Sequence, residues 1–370
     1  MKNITLTKAI GILTVLILAA GCNGAKENGK VTIQEPGSSI TIIDDESSDT
    51  GEPGISVAKI DAYKDVEISD WLDENTVIVA KENASLEEMS LEELAGHHPR
   101  SLYKFNLATQ EYTLLKEEPD LNLSGAKLSP DHKYLLYAGN SLGDPSYEVL
   151  ELDSLKSFKI SGENIGNVGS AYWADQDTIV GAGYMNGAYL SDTKGKATPL
   201  SALDQENLFI VRKIKDKVYY NTSDDNTLQA LDLTTRDTAS LDLPDVGGLY
   251  PSPDQNKILI LQYNGAKQTL SLADIDGSNL KKIAEGVELG GISWSPDQRM
   301  IAYSMKGEEN GASVSGLYVH DLLAGESTPI AVDIANAITC WSPTGEQLAY
   351  ARWDGEQYNS SIVYLKSSLQ

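Results

Sequence analysis

Cysteine, histidine and basic side chains are all scarce in this chain, and each scarcity removes a class of protein. Cys22 and Cys340 are its only cysteines in 370 residues, too few for a disulfide framework or a thiolate metal cluster. The four histidines, His97, His98, His132 and His320, have no Cys or Glu at a spacing that one strand or helix would present together, so no metal centre and no cofactor are expected. Lys and Arg number 29 against 54 Asp and Glu, a net charge of −25. Such a surface repels phosphate backbones and anionic headgroups, and nucleic acid is not an expected partner. Only one long apolar run free of charge occurs, Ala9 to Ala20, and it is short of the roughly 20 residues a spanning helix needs.

That run is informative for what flanks it. Lys2 and Lys8 precede it, and Ala19-Ala20-Gly21-Cys22 closes it, the layout of an export signal. The closing residues resemble a bacterial lipobox, with Ala19 where that motif usually has Leu. The resemblance implies a lipoprotein signal peptide over 1–21 and acylation of Cys22. The alternative is a secreted protein whose Cys22 happens to lie near the cleavage site. Asn23 follows the cysteine, so no Asp suggests inner-membrane retention, and the expected location is the outer face of a bacterial cytoplasmic membrane, of the Gram-positive type. Residues 22–54 are rich in Gly, Ser, Asp and Glu and read as a flexible acidic tether. With Cys22 acylated, Cys340 has no partner and reads as a small buried hydrophobe.

The remainder is patterned as strands. Tyr is abundant at 18 while Phe is rare at 3, and 31 Gly with 13 Pro supply many turns, which favours an all-β protein. Ile292-Ser293-Trp294-Ser295-Pro296-Asp297 leads into the apolar run Met300 to Tyr303: a strand, a Pro-Asp turn and a strand. Aligned on Trp294, the unit recurs at Trp71, Leu128, Trp173, Lys213, Pro251 and Trp341, at spacings of 57, 45, 40, 38, 43 and 47 residues. These bracket the period of a four-stranded propeller blade. Each hairpin is followed by third and fourth strands, as in Gly316 to Leu322 and Thr328 to Ala331. The last repeat has only three strands before Gln370, and an orphan strand, Ile55 to Ile60, precedes the first hairpin. Pairing these two closes a ring and removes exposed sheet edges. The expected domain is a β-propeller over 55–370 with seven four-stranded blades, six being the alternative, closed by the N-terminal strand. Gly125, Gly169, Gly247-Gly248 and Gly290-Gly291 open inner strands and read as a response to crowding at the axis.

Trp294-Ser295-Pro296-Asp297, with Leu128-Ser129-Pro130-Asp131, Ser252-Pro253-Asp254 and Trp341-Ser342-Pro343-Thr344-Gly345, resembles the W-S-P-D-G repeat of TolB-like β-propellers. The same repeat occurs in propeller domains of prolyl oligopeptidase relatives. The resemblance covers about residues 55 to 370 and implies fold more than function, because such propellers serve as platforms, gates and scaffolds. Where the repeat has Gly after Pro-Asp, this chain has His132, Gln255 and Gln298.

No catalytic signature accompanies the repeats. The nearest approach to a nucleophile elbow, Gly311-Ala312-Ser313-Val314-Ser315-Gly316, has the wrong spacing and precedes no helix. Leu86 to Leu94 reads as a short acidic helix inserted in the first blade beside His97-His98. Connections between second and third strands share one face of a propeller, and there they read as long and variable: Asn83 to Arg100, Tyr184 to Gly187, Ser223 to Asn226, Tyr263 to Lys267, Lys306 to Gly316 and Trp353 to Ser360. The candidate binding residues they carry are Trp353, Tyr358, Tyr184, Tyr263 and His97, led by the Trp353/Tyr358 pair because such aromatics anchor interfaces. The expected function is a monomeric, non-catalytic binding or scaffold propeller that recognises an envelope protein, peptide or glycan. The alternative is a glycan- or peptide-processing enzyme working with channel carboxylates and Tyr.

Overall fold

Second strands such as Thr76–Glu82 and Lys257–Asn264 carry continuous apolar runs buried on both faces, so each sheet must be covered on both sides. The computed structural model, which describes residues 30–35, 38–43, 54–89, 96–141, 145–163, 168–183, 187–204, 207–309 and 312–367, satisfies this by standing sheets side by side in a ring. Seven four-stranded antiparallel sheets follow one another along the chain, and among the described residues there is no α-helix. This is a seven-bladed β-propeller. Blade 1 runs from Glu67–Asp73 through Thr76–Glu82 and Arg100–Asn106 to Tyr112–Lys116. The fourth copy of the repeat, where Lys213 stands in place of Trp, is a complete blade whose inner strand is Leu208–Ile214.

The core is divided into seven apolar clusters, one per blade interface. Alternation shows directly: Val77 and Val79 pack toward blade 7 with Ala349 and Ile362, while Ile78 and Ala80 pack toward blade 2 with Leu123 and Leu135. Four of the interfaces are further pinned near the axis. The indole N–H groups of Trp71, Trp173, Trp294 and Trp341 donate to the carbonyls of Cys340, Lys127, Tyr250 and Ser293 at 3.1, 2.9, 3.1 and 3.4 Å. In every case the acceptor lies on the preceding blade, one residue before the position equivalent to the Trp. Where Lys213 replaces Trp, its ammonium pairs with Asp175 of the preceding blade at 3.2 Å.

The Pro-Asp turns are built as the sequence implies. Ser129, Ser252 and Ser295 hydroxyls donate to Asp131, Asp254 and Asp297 and accept the amides of Tyr134, Lys257 and Met300. His132, Gln255 and Gln298 adopt φ of 57°, 58° and 64°, the left-handed region that Gly345 occupies at 75°. The departures from glycine therefore keep glycine's conformation.

Ring closure is by strand exchange, as expected: Ile55–Tyr63 pairs antiparallel with Tyr358–Ser367 as the fourth strand of blade 7, from Ile55 opposite Ser367 to Tyr63 opposite Ser360. A buried Ser360 hydroxyl seals the junction, donating to Val66 O at 2.7 Å and accepting the Ile68 amide at 2.9 Å. The register places Ile55 on the face of the Pro-Asp turns and Tyr63 on the opposite face, that of the second-to-third-strand connections.

Within 22–54, read as a flexible acidic tether, Lys30–Glu35 and Ser38–Ile43 pair as an antiparallel hairpin, in a unit distinct from the propeller. Two other expectations need correction. The Lys306 to Gly316 connection is not a loop: Met300–Glu309 and Ala312–Asp321 pair as far as Glu309 opposite Ala312. Likewise Tyr263 lies in a strand, with Asn264 opposite Lys267 across a two-residue turn. Finally, the described part of the blade 1 insertion is not helical, because Asn83 organises it otherwise. Its side chain accepts the Ser85 amide and donates to Ser101 and Glu117, while the backbone pairs Asn83 with Pro99 and Met89 with His97. Residues 90–95 lie outside the described residues.

Candidate functional site

Trp353 ends the second strand of blade 7 and Tyr358 begins the third, and the two face each other across the hairpin. Their rings meet edge to face at 5.1 Å, with Trp353 54% exposed. The intervening turn is held by Asp354, which accepts the Glu356 and Gln357 amides and the Asn359 side chain. The pair is thus a fixed aromatic projection, its other flank closed by Arg100, whose guanidinium lies 5.2 Å from the Tyr358 ring centre.

Arg100 leads inward to a buried carboxylate. Its Nη2 donates to Ala80 O at 2.6 Å and lies 3.7 Å from Glu67 Oε2, while Nη1 is 4.0 Å from Asp65. Glu67, 3% exposed on the inner strand of blade 1, accepts the Gly125 amide at 3.3 Å. Its Oε2 and the Arg100 Nε have no hydrogen-bond partner among the described residues. Burial raises the pKa values of Glu67 and Asp65 above the ordinary carboxylate range, and the Arg100 charge only partly offsets it.

The remaining expected residues do not join one site. His97 Nδ1 meets Glu82 at 2.9 Å near this region, whereas His98 Nδ1 turns away to Leu86 O at 2.8 Å. Among the described residues no three His, Cys, Asp or Glu side chains are placed to hold a metal ion. Cys22 and Tyr184 lie outside the described residues. Cys340 is buried, its thiol pushed up to about 12 by burial. Tyr263 belongs to blade 5, well round the ring from Trp353, and is 44% exposed.

Tyr263 introduces a group that the loop-centred sequence reading missed. Its ring lies over Gly247, where an added Cβ would come within 2.2 Å of it, and a Cβ at Gly248 would meet the Tyr250 ring at 2.9 Å. These glycines seat aromatic rings, so the expected explanation by axial crowding is replaced for this pair. Gly125 and Gly291 have a third role, left-handed φ of 61° and 57° at irregularities of the inner strands. The residues one place before the repeat's Trp position in blades 3, 4 and 5 are Tyr172, Arg212 and Tyr250. Arg212 lies over the Tyr172 ring at 3.3 Å. The available signal was that shared position in the repeat.

No family model matches the chain, and no curated protein is similar to it. Solved structures of low identity share its fold. An oligogalacturonate lyase in complex with manganese superposes with a TM-score of 0.59 at 13% identity, over 91% of this chain and 96% of the lyase. The propeller domain of the Trilobed protease from Pyrococcus furiosus gives 0.56 at 14%, over 83% and 97%. TolB from Acinetobacter baumannii gives 0.46 at 12%, over 78% of this chain and 63% of TolB.

Proposed function

We propose that the chain is a non-catalytic binding platform of the bacterial envelope, held to the outer face of the cytoplasmic membrane through an acylated Cys22. In this reading the face bearing the second-to-third-strand connections recognises a protein, peptide or glycan. The observation that carries the proposal is the contrast between the propeller's two faces. On the Pro-Asp face, carboxylates such as Asp131, Asp254 and Asp321 are occupied by their own turns or by neighbouring cations. The opposite face projects the rigid, exposed Trp353/Tyr358 pair.

The test is capture of envelope components by the wild-type chain and by the Trp353→Ala, Tyr358→Ala double variant. Specific capture lost in a variant with an unchanged unfolding curve supports the platform; equal capture rules out that face. Release of Cys22→Ala into the medium is the expected outcome for the anchor.

A second reading, catalysis in the channel, is favoured by one observation: Glu67 is a buried carboxyl with a raised pKa beside an arginine, an environment suited to acid–base work. The likeness to an oligogalacturonate lyase makes acidic polysaccharides natural substrates to screen. Turnover abolished by Glu67→Gln would support this reading.

A further inference from the structure

Among the described residues Arg212, Arg236 and Arg352 make no salt bridge, and of these three only Arg212 lies on an inner strand. Arg100 faces Asp65 and Glu67, and Arg299 makes a 2.6 Å pair with Asp321. Arg212 is half-buried on the inner strand of blade 4, and among the described residues no carboxylate lies within 4.0 Å of it, in a chain with 54 acidic residues. One of its nitrogens donates to Val211 O at 2.8 Å, and the guanidinium plane rests on Tyr172. Tyr250 of blade 5, which holds the same place in the repeat as Tyr172 and Arg212, seats its ring against Gly248.

Irregular pairing in the inner strands adds the aromatic surface. In blade 4 the register slips between Leu208 and Ile210, at Phe209, which is 54% exposed. In blade 5 it slips between Val246 and Gly248, at Gly247, on which the exposed Tyr263 ring lies. Bulges that re-aim side chains are a common device beside functional sites. Phe209 precedes Arg212 by three residues, roughly 10 Å at strand rise, so the aromatic rings lead from the face of the second-to-third-strand connections toward the guanidinium.

We propose that this side of the channel, on blades 3 to 5, binds a sugar acid, with Arg212 taking the carboxylate and the rings of Tyr172, Tyr263 and Phe209 receiving the flat faces of the sugars. A planar guanidinium matches a carboxylate bidentately, and flat rings, two of them with hydroxyl edges, suit a pyranose better than an extended peptide backbone, which requires amide partners. The proposal rests on the binding-platform reading and specifies one of its ligand classes, at a place separate from Trp353 and Tyr358.

Calorimetric titration of the full chain with a hexuronate trisaccharide, its neutral hexose counterpart, and a tripeptide with a free carboxy terminus tests it. Saturable binding of the hexuronate alone is expected. Arg212→Gln should weaken it about 10- to 100-fold, the worth of a charge-assisted pair, as should Gly247→Ala, which displaces the Tyr263 ring. Lys133→Gln, which removes one positive charge on the Pro-Asp face, should bind as wild type. Absence of hexuronate binding, equal binding of the neutral sugar, preference for the peptide, or unchanged affinity in folded Arg212→Gln would each overturn the site. Capture through Trp353 and Tyr358 would survive such a result, so the two claims fail separately.

Discussion

Replacing His132 and Gln255 by glycine should move stability in opposite directions, although both residues sit at the same point of the same turn. Their φ values are 57° and 58°, where a side chain costs about 1–2 kcal/mol. Glycine removes that cost but adds chain entropy to the unfolded state, about 0.4–1 kcal/mol. For His132, whose side chain makes no hydrogen bond among the described residues, the balance is a gain of about 0.5 kcal/mol. Gln255 differs because its side chain joins three blades, accepting the Lys215 amide at 2.8 Å and donating to Ala174 O at 2.9 Å. Two lost bonds at about 1 kcal/mol each outweigh the relieved strain, leaving a net loss of about 1 kcal/mol. Thermal unfolding followed by circular dichroism reads the difference as His132→Gly slightly above wild type and Gln255→Gly below it, by about 1–2 °C. Stabilisation of both variants to the same degree would refute the reasoning, since the cross-blade bonds would then contribute nothing.

Two further outcomes follow from the ring junction. Ser360→Ala removes both bonds of a buried hydroxyl and strands the Ile68 amide, so a loss of about 1–3 kcal/mol in denaturant unfolding is expected; a neutral variant would show that water replaces the hydroxyl. Glu67 has a folded-state pKa raised above its unfolded value by burial, so between those two values the native state holds the extra proton. Its contribution to stability therefore declines as pH rises through that window, and Glu67→Gln should flatten the pH dependence there. An unchanged slope would mean that Arg100 compensates the buried charge.

Architecture was legible because a repeat states the same instruction several times. Trp294-Ser295-Pro296-Asp297 and its copies specify both the hairpin and the interblade anchor, so even Lys213, with no Trp, marks a true blade through its pairing with Asp175. Ring closure by Ile55–Tyr63 was equally readable, since a three-stranded last repeat needs a partner. The site was less legible. Strand lengthening turned the apparent loops at Tyr263 and Lys306 into tight hairpins, because hydrogen-bonded pairing continues through polar residues that composition assigns to loops. Arg212 and Tyr172 lie 40 residues apart in sequence and acquire meaning only when neighbouring blades set them face to face. Glu67 gave no local sign of burial, since its environment is made by Arg100 and Gly125 from other strands.

The central claim is that recognition occurs on the face carrying Trp353. A photo-reactive phenylalanine analogue placed at position 353, and separately at position 132 on the Pro-Asp face, tests it in intact cells. The account predicts a discrete cross-linked species from 353 and none from 132. Cross-linking from 132 with none from 353 would contradict it.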